Sequence, residues 1–510
     1  MKFSALPSLF GLSSFTVVYC HTEVDVVVVG AGLSGLSAAR KLLDASKTVK
    51  VLEARDRVGG LVHNRQLESG GVIELGAAFI GPTQDRVIAL AQELGLETST
   101  EYNSGNNTAS SGDRHIEYDS ASLPSLDSQT LTQSVSIIAD IDRKAATIDP
   151  ARPWDNPSAG SWDSMTLTDF RDAGISSQDG REAFEIAVGS VWSVRSDELS
   201  FLFALSYIAA AGNETTKGTW ERLTGTTGGA QDRRVVGGTG LLPEGLAKKI
   251  GHDTISLKSP VRVVEKQNSG KYLVKCAQFS FLASQIIVAM APPLAGKIKY
   301  SPALPSQRRQ ATQHFIRGSI GKANAVYSKP FWRDTGLTGQ AISTTGVVRT
   351  TFDASDINGT YGALLGFIEA DQMRALDNAS DAEIIAKVAG DYVRYFVEQA
   401  RDVKEWVVHK WDVEEYSRGG PTSIAGKGNF KDNAPALRKA VGGIHWAGTE
   451  ASDYWMGYMD GAIRSGERAA QEVLDASKSD LSLGSLLWPE VVWPRDVSRP
   501  RCRVPGENLA

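Results

Sequence analysis

At 510 residues the chain exceeds one compact core and, at roughly 150 residues per domain, suggests two large units or about three. Apolar residues make up 42% and charged residues 22%, a globular balance that excludes disordered and fibrous classes. A formal charge of -5 offers no basic face to a phosphate backbone, which sets nucleic-acid binding aside.

The first twenty residues carry one lysine and then an apolar stretch from Leu6 to Tyr19. That pattern predicts a secretory signal over 1–22 with a mature terminus near His21. The alternative is an unstructured arm, because Pro7, Gly11 and several serines interrupt the apolar core. Acceptor sequons at Asn106, Asn213, Asn358 and Asn378 fit a secreted glycoprotein. No run of about 20 apolar residues occurs, the tail after Ala476 included, so no membrane span is expected.

VDVVVVG is a β-branched run ending in glycine, which predicts a strand buried on both faces of a parallel sheet. A helix is expected from about Leu33 to Leu43 and a second strand from Thr48 to Leu52, together one βαβ unit. From about Thr100 to Arg233 the pattern turns helical, with Trp154, Trp162, Trp192 and Trp220, and reads as an insertion. Strand character returns near Arg234, in TISLKSPVRVVEK and KYLVKCAQF around a turn at Asn268-Ser269-Gly270, and in QIIVAMAPP. After a mixed stretch from Lys297 to Asp412, GGIHWAG and a helix from Met456 to Leu474 close the pattern. The expected organisation is a doubly wound nucleotide-binding unit built from 23–100, 234–296 and 413–476. It interleaves with an α+β substrate unit from 101–233 and 297–412, leaving 477–510 as a tail.

Three cysteines (Cys20, Cys276 and Cys502) and seven histidines lie scattered, so neither a disulfide framework nor a metal site is expected. No Gly-x-Ser-x-Gly elbow points to a serine hydrolase. The strongest local signal is Gly30-Ala31-Gly32-Leu33-Ser34-Gly35, placed after a buried strand and opening a helix. Gly30 allows the turn, Gly32 lets backbone approach a pyrophosphate, Gly35 lets helix and strand pack, and the helix N-terminus presents free N–H groups. Glu53, at the end of the second strand, is placed to accept ribose hydroxyls. These residues alone do not separate NAD from FAD. The next run, Ala54-Arg55-Asp56-Arg57-Val58-Gly59-Gly60, resembles the glutathione-reductase-like FAD families and favours FAD.

Further stretches, taken in order, resemble the flavin monoamine oxidases over about Val24 to Leu474: GPTQDRVIALAQELGLET, GGAQDRRVVGGTG, APPLAGKIKYSPALP with the later KPFWR, and HWAGTEASDYWMGYMDGAIRSGERAA. The resemblance implies an α/β two-dinucleotide-binding-domain flavoprotein, a Rossmann-like FAD domain with an interleaved α+β substrate domain. It implies an FAD site including Gly76, Ala77, Val261, Gly448, Thr449, Glu450, Gly457, Tyr458 and Met459. It also implies Lys297 as a desolvated lysine holding water at flavin N5, Trp411 near the flavin ring, Gln231 in the substrate pocket and Tyr458 as one wall of an aromatic cage. An aromatic face attracts a cation and can polarise an amine lone pair.

Two positions depart from the family. Tyr416-Ser417-Arg418-Gly419-Gly420-Pro421 stands where mammalian members carry a flavin-linking cysteine followed by a tyrosine. FAD is therefore expected to be non-covalent, as in fungal members, with Pro421 as the second cage wall. Leu61 replaces an arginine, which removes one phosphate contact. A likeness to fungal oxidases of long aminopolyols such as fumonisins rests on no particular residue. The expected activity is FAD-dependent oxidation of a primary amine, long-chain amines included, with O2 reduced to H2O2 and the imine hydrolysed to aldehyde or ketone plus ammonia. The partners are then a small-molecule amine and O2, with no nucleic acid, no membrane and no metal. Monomer and homodimer stay open. The alternative is an L-amino-acid or polyamine oxidase on the same fold, which would need an arginine facing Tyr458 or an acidic tunnel.

Overall fold

A computed structural model of the protein describes residues 22–112, 114–120 and 127–484. The leader, apart from Thr22, lies outside the described residues, as do Cys20 and Cys502.

The valine run forms β1 (Thr22–Val29), buried from Val26 to Val29, because β-branched side chains fit a pleated surface covered on both sides. Gly30 ends it at φ +106, and a Cβ there would stand 2.5 Å from the Ala289 carbonyl oxygen. The turn therefore takes glycine. It leads into α1 (Leu33–Asp44), which returns the chain to β2 (Val49–Leu52). Beyond residue 100 the insertion opens with a hairpin the helical pattern does not announce, β3 (Asn106–Ser111) and β4 (Arg114–Asp119). Its helices follow: α2 (Ser128–Ala145), α3 (Gln178–Trp192) and α4 (Phe201–Ala209). They share one apolar core with Trp192 and Trp220, while Trp154 and Trp162 pack on it half-buried.

The strands after Arg234 are β5 (Ile255–Ser256), β6 (Val263–Lys266), β7 (Tyr272–Lys275), β8 (Ser280–Ala289) and β9 (Lys299–Ser301). Then come β10 (Ile320–Tyr327), β11 (Leu337–Ser343), β12 (Thr350–Asp353), β13 (Gly362–Glu369), α5 (Asp381–Phe396) and β14 (Glu405–Lys410). The chain closes on β15 (Ile444–Ala447) and α6 (Met459–Gly484). The last helix starts three residues later than its apolar pattern suggests and runs into the segment read as a tail.

Two large sheets result. The first has the order β5-β2-β1-β8-β7-β6-β9, with β15 parallel to β8. Its centre, β5-β2-β1-β8-β15, is parallel, and α1 and α6 pack together on one face of it. This is the doubly wound unit the βαβ pattern predicts. β9 pairs with β6, so the chain is still in this sheet after residue 296. The second sheet is mixed, with the order β14-β10-β13-β12-β11-β3-β4. Arg233–Val235, next to the expected return to the nucleotide unit, instead joins Phe79–Ile80 and Thr98–Thr100 in a small sheet.

Candidate active site

A cavity of about 1340 Å³ lies between the two sheets and the helices of the insertion. That exceeds the ~300–1,000 Å³ usual for one small ligand and suits a dinucleotide together with a substrate. Every site residue named from the sequence lines it except Gly35, which is spent on packing: a Cβ there would lie 1.9 Å from the Gly30 oxygen.

At the end formed by the first sheet, α1 begins at Gly32 with no side-chain cap, so its first N–H groups are offered to the cavity. Uncapped donors at the positive end of a helix suit a pyrophosphate. Glu53 is 4% exposed and accepts the Ala31 and Arg55 N–H groups at 2.8 and 2.9 Å. Its carboxylate is thereby aimed along the cavity beside Ala54, Gly59 and Gly60. Arg55 is held by Glu414 at 3.0 Å and by Ser417, and Arg57 turns back to the Gly60 carbonyl at 2.9 Å. Arg55 therefore ties this loop to the 414–417 segment and Arg57 closes the loop on itself. Val261 lines the same end, whereas Leu33, Ser34, Gly448 and Met459 line the wall where α1 and α6 meet.

Midway along the cavity, three consecutive carbonyls at Glu74, Leu75 and Gly76 gather two buried side chains. Lys322 on β10 donates to the Gly76 oxygen and, at 3.3 Å, to the Glu74 oxygen. The Trp411 indole donates to the Leu75 oxygen at 2.9 Å. Gly76 must be small there, since a Cβ would stand 1.8 Å from the Leu61 oxygen, and the next residue, Ala77, donates to that same oxygen at 3.1 Å. Lys322 is 3% exposed, and its nitrogen lies 5.3 Å from the Phe367 ring. Burial pulls the amine down from the usual lysine range to about 7, with Glu74 opposing the fall and Arg234 adding to it.

The desolvated lysine is thus Lys322, and the expectation for Lys297 is corrected. Lys297 is exposed at the cavity rim, where slight burial and the Arg418 guanidinium lower its affinity for a proton only as a surface neighbour pair does. The sequence carried a signal: IGKANAVY is small and apolar except at Lys322 and Asn324, and a lysine inside a strand buried at all eight positions is seldom there for solubility.

Tyr458 lies in the turn before α6, its ring 6.1 Å from Tyr207 and 4.9 Å from Trp455. The Thr449 hydroxyl accepts from the Gly457 N–H at 2.7 Å and donates to the Tyr458 backbone carbonyl at 3.0 Å. Thr449 therefore fixes the backbone turn that carries the ring the sequence assigns to the cage, and Tyr207 and Trp455 pack on the ring itself. Glu450 does not face the cavity as a free carboxylate. Its Oε1 accepts from Arg317 at 3.0 Å and from Ser423 through backbone at 3.0 Å and hydroxyl at 2.9 Å. Arg317 also holds the Gly419 oxygen at 2.8 Å, so this buried pair clamps the segment bearing Pro421. Gln231 donates to the Leu223 oxygen at 3.2 Å, and its Oε1 is buried without a partner. No cysteine lines the cavity among the described residues, nor does any cluster there suit a metal ion.

A nucleotide cradle on a parallel sheet, opening into a chamber walled by tyrosine, tryptophan and a buried lysine, defines a flavoprotein of amine chemistry. The comparisons agree. The model of the flavin containing amine oxidoreductase family matches residues 33–474, and the chain belongs to that family. It is 36% identical over 450 residues to the putative flavin-containing monoamine oxidase AofH of Mycobacterium tuberculosis, covering 88% of this chain and 96% of that protein. It is 32% identical over 462 residues to human amine oxidase [flavin-containing] B, covering 89% and 86%. Among solved structures, cyclohexylamine oxidase from Brevibacterium oxydans superposes with a TM-score of 0.84 at 30% identity, covering 89% of this chain and 99% of that one. Putrescine oxidase bound to putrescine also scores 0.84, at 29% identity over 89% and 100%. The protein is a flavin-dependent amine oxidase, and FAD is its cofactor.

Proposed function

We propose that the chain oxidises an extended primary amine to an imine. Gln231 supports this best: among the described residues lining the cavity it is the side-chain amide whose oxygen is buried without a partner, as are the hydroxyls of Tyr207 and Thr350, in the cavity that Tyr458, Trp411 and Lys322 also line. Tyr458 and Pro421 wall the amine in. Gln231 Oε1 accepts one amine N–H, which leaves the nitrogen lone pair to expel hydride from the α-carbon. A neutral amine is required, and a dry chamber favours it because burial penalises the ammonium. Bound FAD supplies the two-electron acceptor and passes the electrons to O2, giving H2O2. The substrate loses two electrons and two protons in all, and water then converts the imine to a carbonyl compound and ammonia. Lys322, held on the 74 and 76 carbonyls, keeps one N–H or lone pair for a water facing the reacting centre. Trp411 keeps bulk solvent out.

Extension of the substrate is supported by the second sheet, one face of which floors the cavity. Lys322, Phe367, Thr350 and Ile342 stand in register across β10, β13, β12 and β11, and Asn107 and Tyr118 follow on β3 and β4. From β10 to β4 is five strand spacings, or about 24 Å. The amino-acid-oxidase alternative is less well supported: Arg317, a buried guanidinium lining the chamber, directs both terminal nitrogens to Glu450 and Gly419 and keeps only its Nε without a partner. Secretion is proposed on the leader pattern and on exposed sequons at Asn358 and Asn378.

The test is anaerobic mixing of the yellow protein with primary amines, α-amino acids and polyamines. Alkyl or arylalkyl primary amines should bleach the flavin fastest, and Tyr458→Ala should slow that bleaching by about tenfold, as expected for a lost cage contact. Bleaching by amino acids alone would sink the reading.

A further inference from the structure

Behind the chamber, and outside its lining, sits a charged group that the amine reaction does not use. Arg234 lies in the small three-stranded sheet, where Phe79 and Ser99 are its register partners. Its guanidinium is paired with the Glu74 carboxylate, with side chains 14% and 3% exposed. The other Glu74 oxygen, Oε1, is buried without a partner. Glu74 is also the residue whose backbone oxygen receives Lys322, and the two following carbonyls receive Trp411 and Lys322. One ion pair therefore anchors the short segment from which both buried side chains of the chamber hang.

We propose that Arg234, acting through Glu74, is a positioning residue for Lys322 in the amine oxidation proposed above. The segment needs such an anchor because it is irregular after Glu74 and its carbonyls face side chains rather than a neighbouring strand. The pair has an electrostatic side as well. Glu74 favours a proton on Lys322, and Arg234 disfavours one. The other charged groups nearby are balanced or neutral. Arg333 pairs with Asp353 at 2.7 Å, and His409, register partner of Lys322 on β14, stands 3.2 Å from Glu414. Burial raises Glu101, next to Arg234, to about 8, so it is mainly uncharged at the midpoint of Lys322 and gains its charge above it. Glu74 and Arg234 are thus the pair whose removal Lys322 should feel, and with opposite signs.

The experiment uses FAD-loaded protein labelled with 13C at lysine Cε. The Lys322 resonance is assigned by its absence in Lys322→Met and then followed by NMR from pH 5 to 10. In parallel, reoxidation of the reduced flavin by O2 is timed over the same range. Arg234→Met should move the Lys322 midpoint up by about one unit, and Glu74→Gln should move it down by a similar amount, the scale expected for a charge within a few ångströms. Arg234→Lys should restore the wild-type midpoint. If Arg234→Met does not fold, the Glu74→Gln and Arg234→Lys variants still decide the matter. A midpoint unmoved in Glu74→Gln, or displaced in the same direction by Glu74→Gln and Arg234→Met, overturns the proposal. Failure of the amine reading itself has a different signature: no amine bleaches the flavin, while the Lys322 midpoints still shift in opposite directions.

Discussion

Two lysines twenty-five positions apart divide the roles that the sequence had given to one. Lys297 sits in a motif of the family run, yet it ends at the rim among exposed charges, whereas Lys322 sits in a strand with no exposed neighbour. Their difference is solvation. Because Lys322 has a folded value near 7, below that of a free lysine, the unfolded chain binds a proton that the folded chain does not between about pH 7 and 10.5. Stability must then rise with pH across that window. Lys322→Met removes the effect, so its stability relative to wild type should be most favourable near pH 7 and fall toward pH 9 by roughly 1 kcal/mol per pH unit, with Tm following. Scanning calorimetry at the two pH values measures this. An equal Tm difference at both would return Lys322 to an ordinary solvated amine. Lys297→Met, exposed, should show no such pH trend.

Among the elements, α1 is one whose position depends on a single close contact. The helix meets β1 so closely that Gly35 lies against the Gly30 carbonyl, and its uncapped N-terminus points down the cavity. Gly35→Ala would place a methyl group 1.9 Å from that oxygen, so the helix must move away and carry its N–H groups with it. The variant should purify with much less yellow colour, with FAD affinity lowered at least tenfold by titration. Full FAD content would show that the helix end does not hold the pyrophosphate. The βαβ unit was legible because it needs only local agreement of a valine run, a glycine turn and a helical stripe. The β3–β4 hairpin was not: NNTASS and RHIEYD carry little apolar alternation, and β3 gains its place by pairing in parallel with β11, some 230 residues away. Likewise, α6 begins only at Met459 because Thr449 ties Gly457 and Tyr458 into a turn, a bond between segments that no periodicity records.

For the whole molecule, the cavity is the main structural fact. It lies between the two sheets, and much of its wall is residues whose partners come from the other side: Lys322 on Gly76, Trp411 on Leu75, Arg317 on Glu450. A cofactor filling it binds only the folded chain, so stability should follow FAD by mass action. At FAD one hundred times its Kd the gain is about 2.7 kcal/mol. For a chain of this length that is an upward shift of a few degrees in Tm. Thermal scans of FAD-stripped protein across an FAD titration test it, and a Tm independent of FAD would mean that the cradle is not loaded in the native state.

By itself the sequence determined the doubly wound nucleotide unit, the glycine turn, the acid at the end of the second strand, the family and its cofactor, and a set of site residues of which all but Gly35 line the cavity. These follow from short-range pattern and from ordered motifs, which survive in one dimension. Only the tertiary structure decided which lysine is desolvated, that Thr449 and Glu450 hold Tyr458 and Pro421 in place, and that Arg234 stands behind Lys322. Each of those depends on burial or on a bond between distant segments. Burial is a property of what the rest of the chain places around a residue, and no local stretch of sequence contains it.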